Sequence, residues 1–147
     1  AFAIKNKYEF EWDVIEDFTL IGNINQIKVD IIFYPYKPID DLVIENDMRL
    51  LSTKDIAPMK LSAIAQRGSK KDFYDMYELL DLYSLDEMFE FYKEKYPHTD
   101  ITFLLRSLTY FEDAEIHDDP ISIKNYDWKD VKQKMKITVE RFINEKI

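Results

Sequence analysis

The sequence contains no cysteine and only two glycines, and both shortages exclude kinds of site. Without cysteine, disulfides and thiolate metal sites are excluded. Gly22 and Gly68 stand alone, so the chain has no Gly-rich phosphate loop, Walker motif or nucleophile elbow. It also lacks a signal peptide and any apolar run near the roughly 20 residues of a membrane span. We therefore expect a cytoplasmic protein without membrane contact.

The composition is typical of a folded, acidic domain. The 147 residues are 46% hydrophobic and 15% aromatic, which excludes a disordered chain and allows a sizeable core. Twenty basic and 29 acidic side chains give a formal net charge of −9. That charge argues against non-specific coating of nucleic acid, which needs a basic surface. It still allows a local basic groove at Lys60, Arg67, Lys70 and Lys71.

The order of the patterns is strands first and helices second, which predicts an α+β fold. Residues 7–13 alternate between apolar and polar side chains, as a half-buried strand does, and 22–25 form a predicted turn. Further strands are expected at 18–21, 26–34 and 42–44. A bundle of about five helices is expected after Ser52: 52–67, 69–80, 84–97, 100–110 and 127 to the C-terminus.

The predicted first helix carries two basic side chains on a face that is otherwise apolar. Lys60 and Arg67 fall on the same side as Ile56 and Ala63, and Met59 and Ile64 extend the expected core stripe. Buried charges are costly unless they are paired or used. In one interpretation both cations reach solvent or pair with neighbouring helices. In the other they line a cleft and bind phosphate, and the spacing leaves both interpretations open.

Two aspartates open the predicted second helix, three positions apart and beside its apolar stripe. Asp72, taken alone, is typical of an acidic residue that complements the helix dipole or caps the helix. Asp75 lies further round the helix, where it could pair with Lys60 across the turn at Gly68. The two aspartates and the two cations therefore outline a candidate site with both signs of charge.

Other carboxylates are weaker candidates for a metal site. Asp30 interrupts an otherwise hydrophobic strand, so it either faces water at an edge or belongs to a site. Magnesium-dependent phosphoryl chemistry uses carboxylates on strands in this way. The acidic residues at 112–119 read as a solvated loop rather than a metal site.

Two short motifs lie at the centre of the chain: Asp-Ile-x-x-Met-Lys at 55–60 and Arg-Gly-x-x-Lys-Asp-x-x-Asp at 67–75. With the flanking segments 27–34 and 105–115, they resemble the AbiEii-type abortive-infection nucleotidyltransferases. That family consists of toxins of type IV toxin–antitoxin systems with a DNA polymerase β-like nucleotidyltransferase fold. The resemblance covers most of the chain and implies a bacterial nucleotide-transferring enzyme with a cognate antitoxin.

The resemblance also assigns roles to residues. Lys60 matches the family's motif lysine, and Asp72 and Asp75 match its Asp-x-x-Asp pair, so these three are the implied catalytic residues. Lys60 and Arg67 would bind the nucleotide, and Asp30 would help to hold Mg²⁺. The implied reaction transfers a nucleotide from an NTP to an acceptor such as tRNA. Metal-bound carboxylates would activate the acceptor hydroxyl while Lys60 neutralises the phosphates.

The family's first motif, a Gly-Ser or Gly-Gly turn followed by an Asp-x-Asp-like pair, does not occur in residues 1–30. We therefore expect the C-terminal portion of an enzyme that is inactive alone and active at full length. In that interpretation 1–51 are the last strands of a nucleotidyltransferase sheet and 52–147 are a helical domain. The alternative is a non-catalytic helical module that binds protein or RNA.

Overall fold

The computed structural model describes residues 10–97, 99–121 and 124–146. Strands precede helices along the chain, which confirms the predicted α+β fold. The chain divides into two compact units, Ala1–Tyr36 and Lys37–Ile147. The division that we expect at residue 51, between the end of a longer sheet and a helical domain, stays a prediction.

The first unit is a three-stranded antiparallel sheet in the order β1-β2-β3. Its strands are β1 (Phe10–Glu16), β2 (Thr19–Ile24) and β3 (Ile27–Ile32). Where β1 is described, the predicted alternation is confirmed, because Trp12 is half-buried between the exposed Glu11 and Asp13; 7–9 lie outside the described residues. Asn25 and Gln26 join β2 to β3, both at positive φ (48° and 66°), as tight hairpin turns require.

The predicted turn at 22–25 was wrong in position, because Gly22 lies inside β2 opposite Trp12 and Val29. The glycine serves close packing rather than a turn. A Cβ atom at residue 22 would lie 2.1 Å from the Glu11 carbonyl oxygen, and the register of β1 shifts just beyond, between Trp12 and Val14. A glycine within a strand commonly marks such a close approach of two backbones.

The second unit begins with a small hairpin of β4 (Val43–Glu45) and β5 (Met48–Leu50). Asn46 and Asp47 form its turn, again with two positive φ angles (49° and 62°). The strand predicted at 42–44 therefore exists within one residue of its expected bounds. Its partner β5 was missed because three residues are too few to show an alternating pattern.

Six helices follow in the described part of the chain, against about five expected. Their bounds are α1 Thr53–Arg67, α2 Lys70–Leu79, α3 Leu85–Lys95, α4 Thr102–Ser107, α5 Glu112–Glu115 and α6 Trp128–Lys146. The short α5 occupies part of 112–119, so the loop predicted there was wrong over four residues. None of the helices in the described segments is long and apolar enough to cross a membrane.

Local side-chain chemistry sets the helix starts. The Ser52 hydroxyl accepts a hydrogen bond from the Asp55 backbone N–H (3.1 Å), and Ser84 and Glu87 form a reciprocal capping box. These two predicted caps are confirmed. The expected cap at Ser69 was wrong, because its side chain makes no capping hydrogen bond although the residue precedes α2.

The core of the second unit lies around α1, which packs against α2, α3 and α4, while α6 packs against α2 and α3. The hydrophobic core includes three α1 side chains at a helical spacing: Ala57, Leu61 and Ile64. Of the predicted stripe, Ile64 is buried, whereas the other three residues are only half-buried: Ile56, Met59 and Ala63. The reason is that α1 packs against its three neighbouring helices mainly through Ala57 and Leu61. Lys60 and Arg67 therefore lie at the margin of the core rather than within it.

Candidate functional site

A tight turn brings the end of α1 beside the start of α2. Gly68 adopts the left-handed conformation (φ 52°, ψ 32°), and its N–H donates to the Ile64 carbonyl oxygen at 3.0 Å. Glycine adopts this conformation without the steric cost that other residues meet, and it commonly ends helices. The turn reverses the chain within two residues, so basic side chains of α1 face acidic side chains of α2.

Four charged residues meet across this turn, and we call Lys60, Arg67, Asp72 and Asp75 the Lys60 cluster. Arg67 binds Asp72 with two parallel hydrogen bonds, Nε to Oδ2 at 2.8 Å and Nη2 to Oδ1 at 2.9 Å. The Lys60 Nζ lies 3.3 Å from Asp72 Oδ1 and also forms an ion pair with Asp75. The predicted pairing of Asp75 with Lys60 is therefore confirmed.

Burial differs sharply within the cluster. The Asp72 side chain is fully buried, whereas those of Lys60, Asp75 and Arg67 are 25%, 49% and 55% exposed. Asp72 lies in the first turn of α2, but it does more than complement a helix dipole, because two cations of α1 bind its carboxylate. The cluster thus has a closed end at Asp72 and an open end at Lys60 and Asp75.

The electrostatics keep the buried carboxylate ionised. Burial raises the pKa of Asp72, but the hydrogen bonds from Arg67 and the charge of Lys60 outweigh it and hold that pKa below its ordinary value. The hydrogen bond to Asp72 in turn raises the pKa of Arg67. Lys60 has three N–H donors and Arg67 has five, so both retain donors beyond those that their aspartates occupy.

Asp30 lies on β3 in the first unit, whereas the Lys60 cluster belongs to the second. Its side chain is 42% exposed and lies 3.7 Å from the Lys28 amine, the geometry of a weak surface ion pair. No group of three or more acidic or histidine side chains is placed to hold a metal ion within the described residues. A metal role for Asp30 stays a prediction.

The sequence reasoning missed a second charged pair, Asp55 with Lys95, which is deeper than the Lys60 cluster. The two atoms Nζ and Oδ1 lie 2.5 Å apart and both side chains are fully buried. Burial raises the pKa of Asp55, but the hydrogen bond and charge of Lys95 and two backbone N–H groups lower it further, so the net shift is downward. The pair joins α1 to α3.

The same pair also holds the segment before the β4–β5 hairpin. Asp55 accepts hydrogen bonds from the backbone N–H groups of Ile39 (3.0 Å) and Asp40 (3.2 Å), and Lys95 donates to the Lys37 carbonyl oxygen at 3.3 Å. Only the role of Asp55 beside Ser52 was visible in the sequence. Its ion-pair partner lies 40 residues away, and no local pattern indicates it.

Comparisons with known proteins agree with the motifs. The family described as "Nucleotidyl transferase AbiEii toxin, Type IV TA system" matches residues 11–143. An Aquifex aeolicus (strain VF5) protein, "Uncharacterized protein aq_aa25", is 38% identical over 131 residues, which are 85% of this chain and 62% of that protein. No solved structure matches the chain significantly. Since the family match spans most of the chain and includes both central motifs, the chain belongs to the AbiEii nucleotidyl transferase toxin family.

Proposed function

We propose that this chain supplies the phosphate-binding part of a magnesium-dependent nucleotidyltransferase, which transfers a nucleotide from an NTP to an acceptor such as tRNA. The observation that carries the proposal is the position of the Lys60 amine, which pairs with both Asp72 and Asp75 inside the range that matches the family. A cognate antitoxin is the protein partner that we propose from the family. The chain covers 62% of its Aquifex relative, so these proposals concern a longer protein.

In this proposal Lys60 neutralises phosphate charge. The two aspartates fix the ammonium group at the margin of the core, and its three-quarters-buried side chain has little freedom to move away. An incoming triphosphate would compete with the half-exposed Asp75 for the Lys60 amine, while the ion pair between Lys60 and Asp72 remains. Preorganised cations of this kind stabilise the charge that is redistributed when a phosphoryl bond breaks.

Asp72 would act as a positioning residue, because its two oxygens already accept hydrogen bonds from Arg67 and Lys60. Arg67 would offer its remaining N–H groups to a phosphate from a fixed orientation. Asp75 is the carboxylate of the cluster that a substrate can reach. Structural ion pairing and phosphate binding are therefore compatible roles for Lys60 and Arg67, since the ion pairs that orient them leave N–H donors available.

Magnesium needs more ligands than the described residues bring together. Mg²⁺ prefers octahedral oxygen coordination, and Asp72 is engaged by two cations. The described residues therefore do not form a magnesium site by themselves. We propose that Asp30 contributes one ligand in the longer protein, and that this chain alone is inactive.

The test is transfer of labelled NTP to a bulk RNA pool with magnesium. It compares the longer protein, this chain, and the longer protein carrying Lys60→Ala or Asp75→Ala. Lys93→Ala is the matched control, because Lys93 is an exposed helical lysine that pairs with Glu90. We expect transfer by the longer protein and by the control only. If neither Lys60→Ala nor Asp75→Ala reduces transfer, the Lys60 cluster has only a structural, ion-pairing role. That result would favour the alternative, a non-catalytic helical module that binds protein or RNA.

A further inference from the structure

A cavity of about 310 Å³ opens beside Arg67, and of the four residues of the Lys60 cluster Arg67 alone lines it. The last turn of α1 and Gly68 form one wall, and α4 with the residues after it forms the other. The volume is at the lower end of the range for small-molecule sites. The cavity therefore has room for a ligand of mononucleotide size.

Two aromatic side chains line the cavity without being buried. Phe103, on α4, is 59% exposed, and Tyr110, which follows the end of α4, is 48% exposed. The Tyr110 hydroxyl donates to Glu112 at 3.1 Å, which holds the ring in place. Neither ring packs against another aromatic ring within the described residues. Flat apolar surfaces of this kind are where nucleobases stack.

Arginine side chains border both walls of the cavity. Arg106 lies on α4, is exposed, and has no side-chain hydrogen bond or ion pair within the described part of the chain. Arg67, on the opposite wall, retains N–H donors beyond those that Asp72 occupies. One carboxylate, that of Asp113, also lines the cavity. Because Asp72 already balances the charge of Arg67, Arg106 is the cation that lines the cavity without an ion-pair partner in the described part of the chain.

We propose that this cavity binds a nucleotide, with the base against Phe103 and Tyr110 and a phosphate on Arg106. The inference rests on the proposed function, because Arg67 belongs to both the cavity and the Lys60 cluster. A planar apolar surface beside an unpaired guanidinium matches a base linked to a phosphate. Asp113 accepts hydrogen bonds from base amino or ribose hydroxyl groups. The nucleotide is either free or part of single-stranded RNA, and the chemistry of recognition is the same.

The test is direct binding to this chain, measured by fluorescence anisotropy with two probes. One probe is a fluorescent ATP analogue, and the other is a labelled single-stranded oligoribonucleotide of about ten nucleotides, the length of a typical single-strand site. Arg106→Gln removes the unpaired guanidinium. Arg141→Gln is its matched control, because Arg141 is an exposed arginine on α6 that does not line the cavity. Phe103→Leu removes stacking, and Phe103→Tyr preserves it.

We expect Arg106→Gln and Phe103→Leu each to weaken binding about fivefold or more, the effect of one lost stacking or charged contact. Arg141→Gln and Phe103→Tyr should bind as the unsubstituted chain does. With the oligoribonucleotide, Arg106→Gln should also reduce the slope of log K against log salt by about 0.7. Tighter binding of the oligoribonucleotide indicates RNA as the source of the nucleotide, and tighter binding of the ATP analogue indicates a free nucleotide.

Absence of saturable binding of both probes, or binding that Arg106→Gln and Phe103→Leu leave unchanged, would overturn the inference. The outcome is separable from that of the transfer assay. Binding through Arg106 by a chain whose longer protein transfers no nucleotide would refute the proposed function and keep the cavity assignment. If transfer depends on Lys60 but probe binding is unchanged by Arg106→Gln, the proposed function stands and the cavity assignment is refuted.

Discussion

Replacing Lys95 with methionine should destabilise the second unit strongly, because it leaves the Asp55 carboxylate buried without its cation. Both side chains are fully buried, and the remaining partners of Asp55 are neutral: two backbone N–H groups and the Ser52 hydroxyl. Removing one partner of such a pair costs about 3–5 kcal/mol. Since all the described helices lie in the second unit, urea unfolding followed by helical circular dichroism reports this loss.

The control for this prediction lies on the same helix. Lys93→Met removes the same charge from an exposed side chain that pairs with Glu90, and exposed pairs are worth about 0–1 kcal/mol. Replacing both buried partners, Asp55→Leu with Lys95→Met, should cost less than the sum of the single substitutions, because neither charge is then stranded. Equal losses of stability for Lys95→Met and Lys93→Met would refute the reasoning.

Two further predictions concern the buried carboxylates. Asp72→Asn should cost about 2 kcal/mol of unfolding free energy, less than Lys95→Met because the cations left behind are partly exposed. An effect no larger than that of Asp81→Asn, at an exposed pair with Lys134, would contradict it. The pKa values of Asp55 and Asp72 in the folded chain lie below the unfolded value of about 3.9. The stabilisation that comes from their ionised forms is therefore complete above about pH 5. It is lost as the pH falls through the folded pKa values. Acid titration followed by circular dichroism should show this loss of stability, reduced in Asp55→Asn. An unchanged acid transition in Asp55→Asn would contradict the lowered pKa of Asp55.

Features that depend on neighbouring residues could be predicted from the sequence. The capping interactions of Ser52 and Ser84 span three residues, and the pairing of Lys60 with Asp75 follows from helical spacing on each side of one glycine. Within the Lys60 cluster the sequence therefore identified the residues that meet. It did not indicate that Asp72 is the most deeply buried of them, because its burial depends on how α2 packs against α1.

Features that depend on long-range packing could not be predicted. Gly22 looked like a turn residue, but the close approach of β1 explains it. No local pattern distinguishes Lys95, which pairs with Asp55 on another helix. The cavity beside Arg67 exists only because α4 packs against α1, and Phe103 and Arg106 are ordinary α4 residues in sequence. In each case the informative contact joins residues that are distant along the chain.

The most direct test of the central claim is the NTP dependence of transfer by the longer protein carrying Lys60→Ala. Asp72 keeps both hydrogen bonds from Arg67 in this variant, so the unfolding free energy should fall by only about 1 kcal/mol. If Lys60 stabilises phosphate charge in the transition state, kcat/KM should fall about 100-fold or more, mostly through kcat. A kcat/KM within about threefold of the unsubstituted protein, about 0.7 kcal/mol in activation free energy, would contradict the account.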